Sequence, residues 1–291
     1  MLRIGTYNLR NLFLDPASID LGGTRKKSKA LRSLARVVDS LDVDLWILQE
    51  VGSAISLGLL NDKLRKPYPV VELIPGNSDR SIHLGVLSRL EVHLTSHTHV
   101  RIKDEEGVVL CGYQGRKAAR LGSRQPLGFS RDVLRVEFAH HRVPFALFGV
   151  HLKSMTQPPW QDLPASRIRA AEVRALVTLI QDYQQRHPSV RILVGGDFND
   201  LSGAEALGPL ESLGYTDLHA RAVTVGEEEA TTYWPRKAMR LDRLLLSPET
   251  ARLAVANSAC IHAGDRQRLA SDHYPVTIDL ALGADGVEDD H

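Results

Sequence analysis

The sequence predicts an α/β fold in which a pair of mixed β-sheets packs face to face under a cover of helices. Three observations carry that expectation. Short apolar runs of strand length, rich in Val, Ile, Leu and Phe, recur from one end of the chain to the other. Two longer stretches carry apolar residues at helical spacing. Strands outnumber helices and several neighbouring runs are close enough to be hairpins, which argues against a purely parallel wound sheet.

In chain order, the strands are expected at LRIGTYNL, VDLWILQE, LGVLSR, VLRVEF, FALFGVHL, RILVGGD, LDRLLLS and YPVTIDLAL. Between the first two, residues 24–41 place Leu31, Leu34, Ala35, Val38 and Leu41 on one helical face, with Thr24 positioned to cap the start. The second helix begins at Ala165, sets Ile168, Ala171, Val173, Leu176, Ile180 and Tyr183 on one side, and stops before Pro188. Residues 111–130, rich in Gly and Arg, and residues 154–165, rich in Pro, read as loops. No internal repeat or linker divides the chain, so residues 1–282 are expected to form one domain and the acidic 283–291 a disordered tail.

The bulk composition excludes several classes. The net charge of +1 provides no global field toward nucleic acid or membrane, so attraction to either must come from local patches. Two cysteines, Cys111 and Cys260, make no disulfide framework and point to a reducing, cytoplasmic setting. No run approaches the roughly 18 apolar residues of a membrane span. The N-terminus reads as a strand and not as a signal peptide.

The chemistry lies at the strand ends. Asn8, Glu50, His151, Asp197 with Asn199, Asp242, and Asp272 with His273 each stand at or beside a strand terminus. One Asp after Gly-Gly is usually a turn former, and one His is usually structural. Coincidence across six segments is a different matter, because strand ends at one edge of a sheet converge, and sites form there. The set is rich in hard oxygen donors (Glu50, Asp272, Asp197, Asn8, Asn199) and lacks thiols, which suits Mg²⁺ or Mn²⁺ better than zinc. Such a cation fits phosphoryl chemistry by neutralising charge on the transferring group. His273 could activate or aim a water if Asp242 holds its ring, while Asp197, oriented by Asn199, makes a second water contact or gives up a proton. The glycines before Asp197 are expected to let substrate approach the backbone.

Read together and in order, IGTYNLRNLF, LQEV, GVHLKS, GGDFND, LDRLLLS and SDHYPV resemble the endonuclease/exonuclease/phosphatase superfamily, over residues 4–276. The resemblance implies a four-layered α/β sandwich and Mg²⁺-dependent hydrolysis of phosphate esters. It implies metal roles for Asn8, Glu50 and Asp272, with Glu50 a direct ligand. His273 would face the phosphate, paired with Asp242. Asp197 and Asn199 would serve the nucleophilic water and the leaving oxygen, and His151 would contact the scissile phosphate.

The tryptophans of the inositol polyphosphate phosphatase pattern are missing from LVGGDFN and MRLDR. TYNLRNLF, SDRSIHLGVLSR and GVHLKS are more similar to bacterial nuclease-type members. Those relatives carry Arg-Gly-Ile-Asp where this chain has Arg80-Ser81-Ile82-His83, which leaves Arg80 as a candidate phosphate contact. Arg131 and Lys153, beside motif residues, are further candidates for substrate binding. Arg10, the RKKSK run, Arg116, Lys117, Arg120 and Arg124 add local positive charge, and Trp160 and Trp234 are candidates for base stacking. The expectation is a metal-dependent nuclease, with DNA favoured over RNA. The alternatives are a phosphomonoesterase on a sugar, lipid or nucleotide phosphate and an inactive nucleic-acid-binding scaffold.

Overall fold

The computed structural model describes residues 1–20, 24–200, 204–218, 231–233 and 238–282; Trp234 and the acidic 283–291 segment lie outside them. The first half of the chain runs β1 (Leu2–Leu12), α1 (Pro16–Asp20), α2 (Ser28–Leu41), β2 (Leu45–Val51), α3 (Ala54–Asn61), β3 (Val70–Leu73), β4 (His83–Ser88), β5 (His93–Ser96), β6 (Cys111–Gly112), α4 (Arg116–Arg120), β7 (Gln125–Pro126) and β8 (Val133–His140). The second half runs β9 (Val143–His151), α5 (Ala165–Arg186), β10 (Arg191–Asp197), α6 (Ala204–Glu211), β11 (Thr216–Asp217), β12 (Thr232–Tyr233), β13 (Ala238–Met239), β14 (Asp242–Leu246), α7 (Pro248–Ala251), β15 (Cys260–Ile261), α8 (Asp265–Ala270) and β16 (Val276–Leu280).

Two six-stranded mixed sheets form the body, in the orders β15-β16-β1-β2-β4-β3 and β11-β14-β10-β9-β8-β5. Each has one parallel pair at its centre, β1 with β2 and β9 with β10, and antiparallel neighbours on both sides. The two sheets thus repeat one pairing pattern, although no sequence repeat announces it.

Side-chain alternation explains the layering. Ile4, Leu45, Ile47 and Val86 of the first sheet meet Leu134, Phe145, Leu147, Leu193 and Leu244 of the second in one buried core. The opposite faces, with Tyr7, Trp46 and Leu48 on one side and Ala146, Phe148, Ile192 and Val194 on the other, pack under α2 and α3 and under α5 and α6 respectively. Helix, sheet, sheet and helix make the expected α/β sandwich. No helix among the described residues is long and apolar enough to cross a membrane.

Several boundaries differ from the sequence reading. Helix α2 starts at Ser28, its N-cap is Lys27 with no side-chain cap, and Thr24 lies outside it. The 111–130 stretch is not plain loop: β6 pairs with β7 around the turn of α4. Helix α3 escaped notice because AISLGLLN is too uniformly apolar to show a helical stripe; Ser53 caps it by accepting the Ser56 N–H. Strand β1 does not end at Asn8, nor β2 at Glu50. Both continue past irregularities in pairing, between Asn8 and Leu12 and between Leu48 and Val51.

Candidate active site

Register alone assembles half of the site. Asp197 closes β10, and its cross-strand partners are His151 on β9 and Asp242 on β14. Three residues from distant segments therefore stand in one row at the end of three adjacent strands. Gly196 makes that row possible. Its φ is +145°, and a Cβ there would come 1.9 Å from the carbonyl oxygen of Val150. A Cβ on Gly195 would meet Leu244 at 2.5 Å. The two glycines serve close packing between strands, not an approach by substrate as the sequence reading had it.

His273, ahead of β16 on the other sheet, completes the cluster. Its Nδ1 lies 2.7 Å from Asp242 Oδ2, and its Nε2 lies 4.0 Å from Asp197 Oδ2. Asn8 donates from Nδ2 to the same Asp197 oxygen at 3.0 Å, and His151 Nε2 stands 3.6 Å from it. Asp197 Oδ1 accepts the Asn199 N–H at 2.9 Å, while Asn199, at φ +50°, donates its side-chain amide to the Leu152 carbonyl. The Ser271 hydroxyl donates to the Asn8 carbonyl at 2.8 Å and ties the His273 loop to β1.

The electrostatics divide the labour. Burial, reinforced by the charge of Asp242, lifts the Asp197 carboxyl to about 7, against the pull of His273 and the hydrogen bonds from Asn199 and Asn8. Burial opposes a charge on His273, but the Asp242 charge and hydrogen bond, with Asp197 and Asp272 behind them, outweigh it and raise the imidazole to about 10. Burial, then the Arg131 charge, drives His151 well below its ordinary value, so it is neutral near pH 7.

Glu50 and Asp272 lie to one side of this cluster. The irregularities in β1 and β2 place Arg10, Asn11 and Glu50 at positive φ (49°, 55° and 59°), a strained backbone that re-aims side chains at a strand end. Asn11 N–H donates to Glu50 Oε2 at 2.8 Å. Arg10 Nε stands 3.4 Å from Asp272 Oδ2. Lys26 donates to the carbonyls of Leu9 and Arg10 and is lowered to about 8 by burial and by Arg10, with Asp272 and Glu50 pulling the other way.

Among the described residues, two sets of side chains offer ligands for a divalent cation. Asp197, Asp242 and His273 offer ligand atoms within 4.8 Å of one another. The 2.7 Å contact between His273 Nδ1 and Asp242 is a hydrogen-bond distance, however, and places a proton where a shared cation would have to sit. Glu50 and Asp272 fit better: they are half-buried oxygen donors, and two cationic side chains already lean on them.

The expected substrate contacts are less uniform. Arg131 is buried, 7% exposed, and donates from Nη1 to the Leu152 carbonyl. Arg80 is exposed and donates to Asn11 Oδ1 at 2.9 Å. Lys153 lines a cavity of about 540 Å³ with Arg80 and Arg131. Position 83, where the resemblance broke, is a clamp: His83 Nδ1 accepts the Gly76 N–H at 3.0 Å. Arg124 is engaged with Asp162 at 2.9 Å and Arg10 with Asp272, so neither is a free surface cation.

One arrangement went unread in the sequence. Glu172, fully buried on α5, accepts the N–H groups of Ser130 and Lys153, both at 2.6 Å, and Arg169 one turn earlier donates to the Lys153 carbonyl at 3.2 Å. The helix thereby grips the backbone on either side of the cationic residues. The signal was present: Arg169 and Glu172 are charges within the apolar stripe of an otherwise regular amphipathic helix.

A family model described as the Endonuclease/Exonuclease/phosphatase family matches residues 5–273. No curated protein matches the chain. Among solved structures, the human Nocturnin catalytic domain with bound sulfate superposes with a TM-score of 0.64 at 15% identity, covering 96% of this chain and 94% of that one. A Bacteroides thetaiotaomicron mannosyl-6-phosphatase gives 0.61 at 15% identity, over 97% and 100%. A Neisseria 3′ phosphatase bound to a product DNA hairpin gives 0.57 at 16% identity, over 97% and 100%. At such identities the likeness is one of fold.

Proposed function

The chain belongs to the endonuclease/exonuclease/phosphatase family of phosphoesterases, and from that premise we propose that it is a Mg²⁺- or Mn²⁺-dependent phosphodiesterase, a nuclease that hydrolyses DNA in preference to RNA. The observation that carries the proposal is the convergence on one point of a carboxyl near neutrality, Asp197, and an imidazolium, His273, beside a cationic wall.

In this reading Asp197 accepts a proton from the attacking water, since a carboxyl lifted toward neutral pH is a competent base there. Asn8 and the Asn199 N–H fix its orientation. His273, held charged by Asp242, faces the phosphate oxygens and stabilises their growing charge. Neutral His151 donates a hydrogen bond to the same phosphate. Glu50 and Asp272, with Asn8 close by, would hold the cation, which supplies charge neutralisation at the phosphoryl group. Arg131, Lys153 and Arg80 bind the substrate's anionic groups.

A second reading, a phosphomonoesterase on a sugar, lipid or nucleotide phosphate, draws on the walled cavity beside Lys153, which suits a compact ester. Incubation of metal-depleted protein with labelled single- and double-stranded DNA, RNA and small monoesters, with each metal restored in turn, separates the two. Cleavage of an oligonucleotide supports the first; turnover of monoesters alone reverses the ranking. Glu50→Gln is expected to weaken metal binding at least tenfold by calorimetry, and an unchanged titration would remove Glu50 from the metal set.

A further inference from the structure

The cavity lined by Arg131 and Lys153 is also walled by residues 77–80, 113–116 and 127–130 and by Ser154, Thr156, Pro158, Trp160 and Gln161, and none of His151, Asp197, Asp242 and His273 lines it. Its size, about 540 Å³, is that of a small-molecule site, which spans roughly 300–1,000 Å³. Its wall holds four cationic side chains, Arg80, Arg116, Arg131 and Lys153, against one carboxylate, Asp79. Tyr113 and Trp160 add aromatic surface, and buried apolar side chains such as Phe129 line it too.

Each feature narrows the occupant. The charge imbalance calls for an anion, and cations at several points, not one, suit a ligand with more than a single phosphate. The aromatic side chains suit a planar ring, since every nucleobase presents a π-face that stacks on such a platform. A neutral sugar would instead ask for several free carboxylates and amides to match its hydroxyls; the wall offers one carboxylate, and its three amides, Asn77, Gln114 and Gln161, already hydrogen-bond to the protein. A cavity of about 540 Å³ has room for a single nucleotide unit and not for a duplex, which suits the end of a chain.

We propose that this cavity is a subsite for a terminal nucleotide carrying a second phosphate, with Trp160 against the base and Arg116 against the phosphate, so that the enzyme works from phosphorylated chain ends. This rests on the phosphodiesterase reading and names its substrate class. Neither Trp160 nor Arg116 belongs to the catalytic cluster.

The test uses the full chain and short DNA oligonucleotides that carry or lack a terminal phosphate, at either end, and carry or lack the terminal base. The wild-type protein is expected to prefer the phosphorylated, base-bearing forms at least tenfold in kcat/KM. Arg116→Ala should erase the preference for phosphate, and Trp160→Ala the preference for the base. Wild-type rates that ignore both features, or variants that keep both preferences, overturn the proposal.

Fluorescence titration with thymidine 3′,5′-bisphosphate and with glucose 6-phosphate separates the two levels of inference. Quenching by the bisphosphate that is lost in Trp160→Ala, without cleavage of any diester, keeps the subsite and discards the phosphodiesterase reading. Cleavage of diesters with no such quenching discards the subsite alone. Binding of glucose 6-phosphate as tight as that of the bisphosphate discards it as well.

Discussion

The catalytic cluster and the cavity beside it are neighbours built by opposite means. The cluster stands on strand ends: His151, Asp197 and Asp242 are fixed by the register of β9, β10 and β14, and each is almost fully buried. The cavity is walled by loops and a two-residue ladder, and Arg80 and Arg116 are exposed. Chemistry that depends on positions held within fractions of an ångström is placed where the backbone cannot move. Recognition, which tolerates more play, is placed where sequence can change without disturbing the sheets. The clamp of Glu172 and Arg169 joins the two, since it fixes the backbone of Lys153 from a helix.

If that contrast holds, substitutions in the cluster should abolish the reaction without unfolding the protein. Asp197→Asn and His273→Ala are each expected to lower kcat by about 10²–10⁴-fold while both variants still fold cooperatively, as followed by urea unfolding. Wild-type turnover in either variant removes that residue from the mechanism. A methyl group at the root of the row should do the reverse. Gly196→Ala drives a Cβ into the Val150 carbonyl at positive φ and is expected to cost roughly 3 kcal/mol or more in urea unfolding. A midpoint unchanged from wild type would show that the row can shift freely.

The clamp offers a smaller, sharper effect. Glu172→Gln keeps the shape but turns one acceptor into a donor facing an N–H, a loss of about 1–3 kcal/mol. The expected kinetic signature is a higher KM for phosphate esters with a smaller change in kcat; an unchanged KM would mean that Lys153 needs no such support.

The subtlest test is pH. The folded-state pKa of His273 is raised above its ordinary 6.5, so its pairing with Asp242 stabilises the fold fully below about pH 6.5 and loses that contribution as pH rises toward 10. The stability gap between wild type and His273→Ala, measured by urea unfolding, should therefore narrow over that interval. A gap that stays flat from about pH 7.5 to 10 would show the folded-state imidazole to be neutral there.

Much of this was legible before any coordinates. Continuous apolar runs of strand length such as FALFGVHL gave the strands, because a strand covered on both faces has no exposed side to carry polar residues. The polar residues at their ends stood out because a strand that buries both faces has no other reason to finish on Asp or His. The less periodic pieces were not legible. Helix α3 has no polar face to mark it, and β1 and β2 run past Asn8 and Glu50 because a local irregularity leaves no trace in hydropathy.

By itself, the order of residues along this chain determined which side chains were available for chemistry and that two sheets would carry them, since both follow from local pattern and residue type. Which carboxylate faces which imidazole, why glycine must precede Asp197, and how a helix charge supports Lys153 were decided only by tertiary structure. Those relations depend on the pairing of strands and the burial of groups far apart in the chain, and burial is a property of the packed whole rather than of any segment within it.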